Sequence, residues 1–278
     1  MICVSLAEPT CDALLRRLQQ VAAKADLAEI RLDALADAES LDFASLLKNR
    51  PCPLIFTNRS SKEGGLFSGS EEERISLLGK AVSEGADYVD IELRTDPVLR
   101  DAVIKEVRRT GIKVIISYHD FSCTPAKENL IEVFDSERRA GADIGKIVTL
   151  AEGLQDVLKV LSLHFRAMDD GLPLIAFCMG PLGKMSRLAC LALGGYLTYA
   201  SPAGGHETAP GQIPLDDLKA MVDYLSCNGK IFLFTSTIQP LVFLRLLTWG
   251  SPAPSPFSFA ALRSRGFPCC KGQENLRG

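Results

Sequence analysis

The chain has 278 residues, 47% of them hydrophobic, which is enough apolar sequence for one large α/β domain or two small ones. Its formal net charge of -3 at pH 7 argues against a nucleic-acid-binding protein, because neutralising phosphates requires a basic surface. The nine cysteines are irregularly spaced and include no CxxC pair, which indicates buried free thiols in a reducing compartment rather than a disulfide framework or a zinc site. The first residues, MICVSLAEPT, lack a basic segment and a long apolar segment, so we predict no signal peptide and a cytoplasmic location.

Short β-type segments alternate with amphipathic helical stretches along the first 200 residues. The predicted strands are ICVSL (2–6), LAEIRLD (27–33), PLIFTNR (53–59), YVDIEL (88–93), KVIISYH (113–119), IGKIVTL (144–150), PLIAFCM (173–179) and LTYAS (197–201). Predicted helices include 11–24, 71–84, 97–109, 125–140 and 154–168. Ser70 and Glu73 form a capping-box pattern at one helix start, and Gly111 and Gly171 fit left-handed helix ends. This alternation predicts a parallel sheet.

Two architectures fit eight such units, an open doubly wound sheet and an eight-fold barrel. The strand starts are 24 to 35 residues apart, close to the roughly 31 residues per unit of a barrel of about 250 residues. Glu29, Arg31 and Asp33 share one face of the second strand and alternate with apolar residues. An open parallel sheet, covered by helices on both faces, would be apolar throughout. The inner face of a barrel can become polar toward its mouth, so we predict a (β/α)8 TIM barrel.

Lys146 lies in the otherwise apolar sixth predicted strand. If its side chain points inward, burial disfavours the ammonium form and frees the amine as a nucleophile toward ketones and aldehydes. The alternative is a lysine paired with an inner carboxylate such as Glu29 or Asp90. The sequence periodicity does not decide between these two interpretations.

The three histidines differ in their predicted positions. His119 ends the fifth strand, where a barrel displays its catalytic groups, and an ordinary pKa of about 6.5 suits it for proton transfer. A histidine bonded to backbone is the alternative, and we favour the catalytic interpretation. We interpret His164, in a helical stretch, as a surface residue, and His206 as part of a Gly- and Pro-rich loop.

Arg31, Arg59 and Arg187 are the candidate anion-binding residues, because arginine grips carboxylates bidentately and stays charged. For Arg187, near the start of a predicted helix, a solvated surface charge is the alternative. The sequence contains no Walker A, GxGxxG or HExxH pattern, which weakens nucleotide, dinucleotide and zinc-protease interpretations. The segment CMGPLGKMSR (178–187) could cradle a phosphate at a helix N-terminus, so a phosphorylated substrate is an alternative.

Six fragments, in order, resemble type I 3-dehydroquinate dehydratases. They are EIRLD in the second strand, RSSKEGG after the third, SYHDF in the fifth, DIGKI in the sixth, MSRL after the seventh and APGQIP after the eighth. The resemblance covers about residues 1–226. It implies a barrel enzyme that uses a Schiff-base lysine without metal or cofactor. It also implies a small-molecule substrate, 3-dehydroquinate, which is dehydrated to 3-dehydroshikimate in the shikimate pathway to chorismate and the aromatic amino acids.

The resemblance implies a role for each candidate residue. Lys146 would attack the C3 ketone and form an iminium, while His119 would remove the C2 proton, protonate the departing C1 hydroxyl and assist imine formation and hydrolysis. Glu63 and Asp90 would orient His119 and tune its pKa, and Arg187 would pair with the substrate carboxylate. The other substrate-binding residues would be Ser5, Glu29, Arg31, Arg59, Thr208 and Gln212.

The loop at 200–212 would act as a lid, with Gly204 and Gly205 allowing it to move. Thr208 stands where the family usually has serine. Its hydroxyl can make the same hydrogen bond, and its methyl group could alter loop closure. The sequence is also compatible with a homodimer.

Two rival interpretations accompany the dehydratase. One is another Schiff-base barrel lyase, such as a class I aldolase, which would need a phosphate-binding group in place of Arg187. The other is an inactive barrel kept as a binding module, which the presence of the lysine, the histidine and their carboxylates argues against.

Residues 227–278 differ in composition from the preceding chain. They contain six Lys or Arg and one acidic residue, against 25 and 33 in residues 1–226. The apolar stretch 231–249 is interrupted by Gln239, Pro240 and Arg245, so we do not favour a membrane span, and we expect a poorly ordered tail. One hypothesis is a shifted reading frame that truncates a fusion with shikimate dehydrogenase, and its rival is a hydrophobic partner-binding tail.

Overall fold

The structure, a computed structural model, describes residues 1–202, 204, 207–227 and 230–231. Its strands are β1 (Ile2–Leu6), β2 (Leu27–Arg31), β3 (Leu54–Thr57), β4 (Tyr88–Glu92), β5 (Lys113–Asp120), β6 (Ile144–Leu150), β7 (Leu174–Met179), β8 (Thr198–Ser201), β9 (Ile213–Pro214), β10 (Ser226–Cys227) and β11 (Lys230–Ile231). Its helices are α1 (Cys11–Val21), α2 (Phe43–Lys48), α3 (Glu71–Ser83), α4 (Pro97–Thr110), α5 (Lys127–Arg139), α6 (Leu154–Asp170), α7 (Gly180–Gly183), α8 (Ser186–Ala192) and α9 (Leu215–Leu225). All eight predicted strands are present.

The strands β1 to β8 form one curled parallel sheet in which β1 pairs with both β2 and β8. From β1 to β7 each strand pairs with the next one in the chain. In the described part of the chain no ladder joins β7 to β8. There the Tyr196 N–H donates to the Leu174 carbonyl oxygen at 2.8 Å, linking the start of β7 to the segment that enters β8. The predicted (β/α)8 barrel class is confirmed.

Local signals in the sequence account for the helix boundaries. The Ser70 hydroxyl accepts a hydrogen bond from the Glu73 N–H at 3.2 Å, and the Glu73 carboxylate accepts one from the Ser70 N–H at 2.7 Å. This is the predicted capping box at the start of α3. Gly111 and Gly171 follow the ends of α4 and α6 with φ of 77° and 70°, a left-handed conformation that glycine adopts without steric cost.

The inner face of the barrel changes from apolar to polar along the strand direction. At the amino-terminal end, Cys3, Leu27, Ile55, Ile115 and Ile144 are buried together in one apolar cluster. Two residues further along each strand the inward side chain is polar. These residues are Ser5, Glu29, Thr57, Ser117 and Lys146.

The strand register then brings these polar side chains side by side. Ser5 lies beside Glu29, Thr57 beside Asp90, and Ser117 beside Lys146. Because side chains of residues paired across parallel strands point the same way, a belt of polar groups forms near the carboxyl ends of the strands. The fold therefore builds its polar site on an apolar floor.

Among the described residues, no helix is both long enough and apolar enough to cross a membrane. The predicted tail at 227–278 lies outside the described residues, except for 227 and 230–231. The domain boundary at residue 226 and the interpretations of the tail stay predictions.

Glu137 is a fully buried carboxylic acid on α5 that packs behind the strand of Lys146. Its Oε2 lies 2.6 Å from the place that a Cβ would take at Gly145, so a larger residue there would displace the Glu137 carboxyl group. Neither carboxyl oxygen accepts a well-formed hydrogen bond from the described residues. Burial raises the pKa of Glu137 well above its usual value, and the nearby Lys146 backbone N–H offsets this only in part. Burial therefore favours the neutral form of Glu137 in the folded protein.

This burial makes stability depend on pH. A glutamate in the unfolded chain ionises near pH ~4.3, while folded Glu137 keeps its proton, so stability falls as pH rises from there toward the raised pKa. We expect Glu137→Gln to match the wild type near pH 4 and to exceed its free energy of unfolding above pH 7, by roughly 1–3 kcal/mol. Urea unfolding at several pH values measures this. The exposed Glu128→Gln on the same helix is the control, and an equal pH dependence in Glu137→Gln and wild type would contradict a neutral buried carboxyl.

Candidate active site

A pocket opens at the carboxyl ends of the barrel strands. Nine of the eleven predicted site residues line it. They are Glu29, Arg31, Arg59, Glu63, His119, Lys146, Arg187, Thr208 and Gln212. The other two, Asp90 and Ser5, lie behind this lining, where Asp90 contacts Lys146 and Ser5 contacts Glu29.

Lys146 points into the barrel and is 4% exposed. Its Nζ donates a hydrogen bond to Asp90 Oδ2 at 2.8 Å and to the Tyr199 hydroxyl at 3.1 Å, and it lies 3.4 Å from Glu29 Oε1. The ion pair considered from the sequence is therefore present, with both of the carboxylates named for it. Lys146 also belongs to the pocket lining, and its role as a reactive amine stays a prediction.

Asp90 makes the shorter of the two carboxylate contacts with Lys146. Burial alone would raise the pKa of Asp90, but the positive charges of Arg59 and Lys146 outweigh it and hold the pKa well below its usual value. Asp90 Oδ1 lies 2.8 Å from Arg59 Nη2 and accepts a hydrogen bond from the Ser117 hydroxyl at 2.6 Å. Within the described residues none of its hydrogen bonds goes to His119, but its negative charge opposes the lowering of the His119 pKa, so only the predicted tuning of that pKa is supported.

Glu29 completes the negative surroundings of Lys146. Its carboxylate accepts hydrogen bonds from the Ser5 hydroxyl at 2.5 Å and the Thr57 hydroxyl at 2.9 Å. Burial would raise its pKa, but the charges of Lys146 and Arg31 outweigh this and lower it. Two ionised carboxylates therefore face one ammonium group, and Ser5 acts through Glu29.

His119 ends the inward face of β5 beside Glu63. Glu63 Oε2 accepts a hydrogen bond from the His119 backbone N–H at 3.0 Å and lies 3.1 Å from Nδ1 of the ring. Burial, together with the charges of Arg59 and Lys146, lowers the pKa of His119 well below its usual value, so the ring is neutral at pH 7. A proton on Nδ1 directed at Glu63 leaves Nε2 as an acceptor.

Glu63 itself is poised to change charge near neutrality. Burial raises its pKa to about 7, although Arg59 opposes the shift. It sits in a short 3₁₀ turn, Ser61–Glu63, that the Ser60 hydroxyl caps. The two glycines that follow are required by packing, because a Cβ at Gly65 would lie 2.0 Å from the Arg59 carbonyl oxygen, and one at Gly64 would meet the Phe121 ring at 2.4 Å. The EGG segment, residues 63–65, thus determines where the Glu63 carboxylate lies.

Arg187 is a buried cation that forms no ion pair with a carboxylate in the described part of the chain. It is 1% exposed, so the surface interpretation is wrong. Its guanidinium donates to the Gly211 carbonyl at 3.0 Å and the Pro210 carbonyl at 3.3 Å and lies 4.5 Å from the centroid of the Phe177 ring. Burial lowers its pKa to about 10. In the described part of the chain no Asp or Glu oxygen lies within 4.0 Å of it, which makes it the natural partner for an anionic ligand.

The other two predicted arginines are already balanced by protein acids. Arg31 forms a bidentate pair with Asp33 at 2.8 and 2.5 Å. Arg59 pairs with Asp90 at 2.8 Å and Glu92 at 3.3 Å. Both line the pocket, but their charge is largely committed to the protein, unlike that of Arg187.

The segment after β8 closes one side of the pocket. The Thr208 N–H donates to Gln212 Oε1 at 2.8 Å, and Gln212 Nε2 donates to the Thr208 hydroxyl at 3.0 Å. The Gly180 N–H donates to the Pro210 carbonyl at 3.1 Å, which ties this segment to the end of β7. Residues 203, 205 and 206 lie outside the described residues, so the lid and the role of His206 stay predictions.

The sequence interpretation was wrong about His164 and did not single out Tyr199. His164 is 2% exposed, and its Nε2 lies 2.9 Å from the Ala176 carbonyl oxygen. Its spacing from Val160 and Ala167, both buried, was a helical-face signal for burial. Tyr199 lines the pocket from β8, and the period-two pattern of LTYAS was the available signal for an inward side chain.

Comparison with known proteins agrees with this geometry. Residues 2–228 match the model of the family described as type I 3-dehydroquinase. The chain belongs to the type I 3-dehydroquinase family. The resemblance predicted from the sequence fragments is therefore confirmed.

Individual relatives of this family match most of the chain. A 3-dehydroquinate dehydratase from Desulfotalea psychrophila is 40% identical over 220 residues, which cover 79% of this chain and 96% of the relative. The crystal structure of the Geobacillus kaustophilus 3-dehydroquinate dehydratase is similar with a TM-score of 0.75 and 32% identity, covering 81% and 90% of the two chains. The type I enzyme of Clostridium difficile, solved with covalently modified comenic acid, has a TM-score of 0.74 and 28% identity, covering 81% and 91%.

Proposed function

We propose that this chain dehydrates 3-dehydroquinate to 3-dehydroshikimate, a step of the shikimate pathway, through a Schiff base on Lys146. The observation that carries the proposal is that one pocket combines the buried amine of Lys146 with Arg187, a buried arginine that has no ion pair among the described residues. Such a site suits a ligand that is both a ketone and a carboxylate. Membership of the type I 3-dehydroquinase family favours this substrate over the aldolase and scaffold alternatives.

Lys146 attacks the C3 ketone as the neutral amine. Loss of water then gives an iminium, which draws electrons from C2 and acidifies its proton. The nitrogen is positively charged in both the ammonium and the iminium. Asp90 and Glu29, which are ionised and face Nζ, therefore stabilise the iminium without moving.

His119 is the base and then the acid of the elimination. Its neutral ring accepts the C2 proton at Nε2 and later donates it to the departing C1 hydroxyl, which leaves as water. Glu63 holds the Nδ1 proton, and with it the productive tautomer and ring orientation. The positive charge that His119 gains in between is stabilised by the Glu63 carboxylate.

Arg187 holds the substrate carboxylate and so places the ketone over Lys146. Gln212 and Thr208 bind the substrate from the segment after β8, and Glu29, Arg31 and Arg59 contribute polar groups to its hydroxyls. The proposal also includes a small-molecule substrate, a cytoplasmic location, a homodimer and the absence of nucleic-acid partners. The location is supported by six free cysteines in the described residues.

Borohydride reduction in the presence of 3-dehydroquinate tests the covalent step. We expect a stable adduct that peptide mass mapping places on Lys146, because reduction converts the iminium to a secondary amine. Protein treated with borohydride alone is the control. An adduct on another residue, or none in folded and active protein, would contradict the proposal.

Replacing Lys146 separates its proposed role in catalysis from its contribution to stability as the partner of two buried carboxylates. We expect Lys146→Ala to lose turnover and also to lose roughly 3–5 kcal/mol of stability, because Asp90 and Glu29 stay buried without their cation. Lys146→Arg keeps the positive charge and should recover much of the stability without recovering turnover or the adduct. Turnover by either variant at the wild-type rate would exclude Lys146 as the nucleophile.

The pH dependence of activity should report the charge of Glu63. Because the pKa of Glu63 is about 7, we expect kcat/KM to rise with pH through a midpoint near pH 7, as the carboxylate that holds His119 ionises. Glu63→Gln cannot ionise, so this limb should disappear and activity should fall, by up to the roughly 10²- to 10⁴-fold that general acid–base catalysis contributes. Glu128→Gln, outside the pocket, should keep the limb. A limb that persists unchanged in Glu63→Gln would assign it to another group.

A further inference from the structure

Tyr199 is a pocket residue that the proposed mechanism does not use. It extends inward from β8, is 4% exposed, and places its hydroxyl 3.1 Å from Lys146 Nζ. Its ring lies 4.3 Å from the same nitrogen and packs beside Phe177, with the ring centroids 6.2 Å apart. The phenol is therefore held against the atom that is proposed to react.

The Tyr199 hydroxyl is protonated and can act as a hydrogen-bond donor. Burial raises its pKa well above the usual value, and the negative charge of Glu29 adds to this, so the phenol stays neutral. A neutral phenol both accepts and donates a hydrogen bond. Its oxygen accepts from Lys146, and within the described residues the structure gives no acceptor for its own proton. Because buried donors are normally satisfied, a donor that lines the pocket points to an acceptor on the ligand.

The three groups that surround Lys146 Nζ differ in what they can do. Asp90 and Glu29 have lowered pKa values and are ionised, so they accept hydrogen bonds but have no proton to donate. Tyr199 accepts from Nζ and can donate at the same time. Among the described partners of Nζ it alone can pass a proton onward.

Schiff-base formation contains a step that needs such a group. Attack of the neutral amine on the ketone forms the nitrogen–carbon bond, breaks the carbon–oxygen π bond, and leaves a cationic nitrogen and an alkoxide on the same carbon. One proton must then move from nitrogen to oxygen to give the neutral carbinolamine. Direct transfer between these two atoms passes through a strained four-membered ring, whereas a hydroxyl that contacts both atoms can relay the proton without strain.

We propose that Tyr199 is a further catalytic residue, whose hydroxyl takes a proton from Lys146 Nζ while giving its own proton to the former ketone oxygen. The phenol ends the step as it began, so no other reactant is needed. The same relay runs backward when the product imine is hydrolysed. This inference rests on the proposed function, because it requires the Schiff base on Lys146.

The test is the rate of adduct formation in Tyr199→Phe. Enzyme and 3-dehydroquinate are mixed, the reaction is stopped with borohydride at increasing times, and mass spectrometry gives the fraction of Lys146 that carries the adduct. We expect Tyr199→Phe to form the adduct roughly 10²-fold more slowly than wild type, with a similar thermal midpoint and KM. In deuterated water the wild-type rate should fall, and the slower rate of Tyr199→Phe should show a smaller fall.

Tyr88→Phe is the matched control, because the Tyr88 hydroxyl is hydrogen-bonded to the Tyr196 hydroxyl at the opposite end of the barrel. It should behave as wild type. A Tyr199→Phe variant that forms the adduct at the wild-type rate, or slowly but with an unchanged isotope effect, would overturn the relay. If the variant does not fold, the wild-type isotope effect still decides, since its absence excludes a proton relay during adduct formation. Failure of the wild type to form any adduct would instead refute the proposed function.

Discussion

The arrangement of the site depends on one buried positive charge, the Lys146 ammonium, held between Asp90 and Glu29. A lone ammonium in the barrel would be strongly destabilising, and two carboxylates there without it would be too. Each carboxylate is further held by neighbours, Asp90 by Arg59 and Ser117 and Glu29 by Ser5 and Thr57. Asp90 and Glu29 are thus held in place around a positive charge at Lys146 Nζ. The proposed reaction restores a positive charge at that nitrogen when the iminium forms, so the two carboxylates need not rearrange at that stage.

Arg187 differs from Lys146, because no carboxylate among the described residues forms an ion pair with it. Arg31 and Arg59 are neutralised by protein acids, but Arg187 is buried on backbone carbonyls and an aromatic ring. A pKa lowered to about 10 corresponds to on the order of 3 kcal/mol of cost to the free protein. In the proposed function, the substrate carboxylate removes that cost when it binds to Arg187. On that proposal, the empty site is less stable in exchange for directional binding of the substrate.

Much of this arrangement could be predicted from the sequence, because a barrel strand shows its inner face every second residue. The alternation in the second strand placed Glu29 and Arg31 inward, and the strand-end position of His119 placed it at the mouth. Lys146 could be assigned to the interior, but the choice between an ion pair and a reactive amine could not be made, because a buried amine beside carboxylates is compatible with both.

Features that depend on the register between strands could not be predicted. Asp90 was expected to orient His119 and tune its pKa, yet its hydrogen bonds go to Lys146 and Ser117, and it acts on His119 through its charge alone. That Arg187 has no ion pair in the described part of the chain depends on where the segment after β8 packs, which no local pattern encodes. His164 was wrongly predicted to be a surface residue for another reason. Its polar side chain suggested exposure, but the apolar helix face on which it lies was the stronger indication of burial.

The most direct measurement is a crystal structure of the protein after borohydride reduction with 3-dehydroquinate. The structure should show a single bond between Lys146 Nζ and C3 of the ligand. Its carboxylate should lie on Arg187, and C2 should face the His119 ring. A ligand that sits in the pocket without a bond to Lys146, or that turns its carboxylate away from Arg187, would contradict the proposed chemistry.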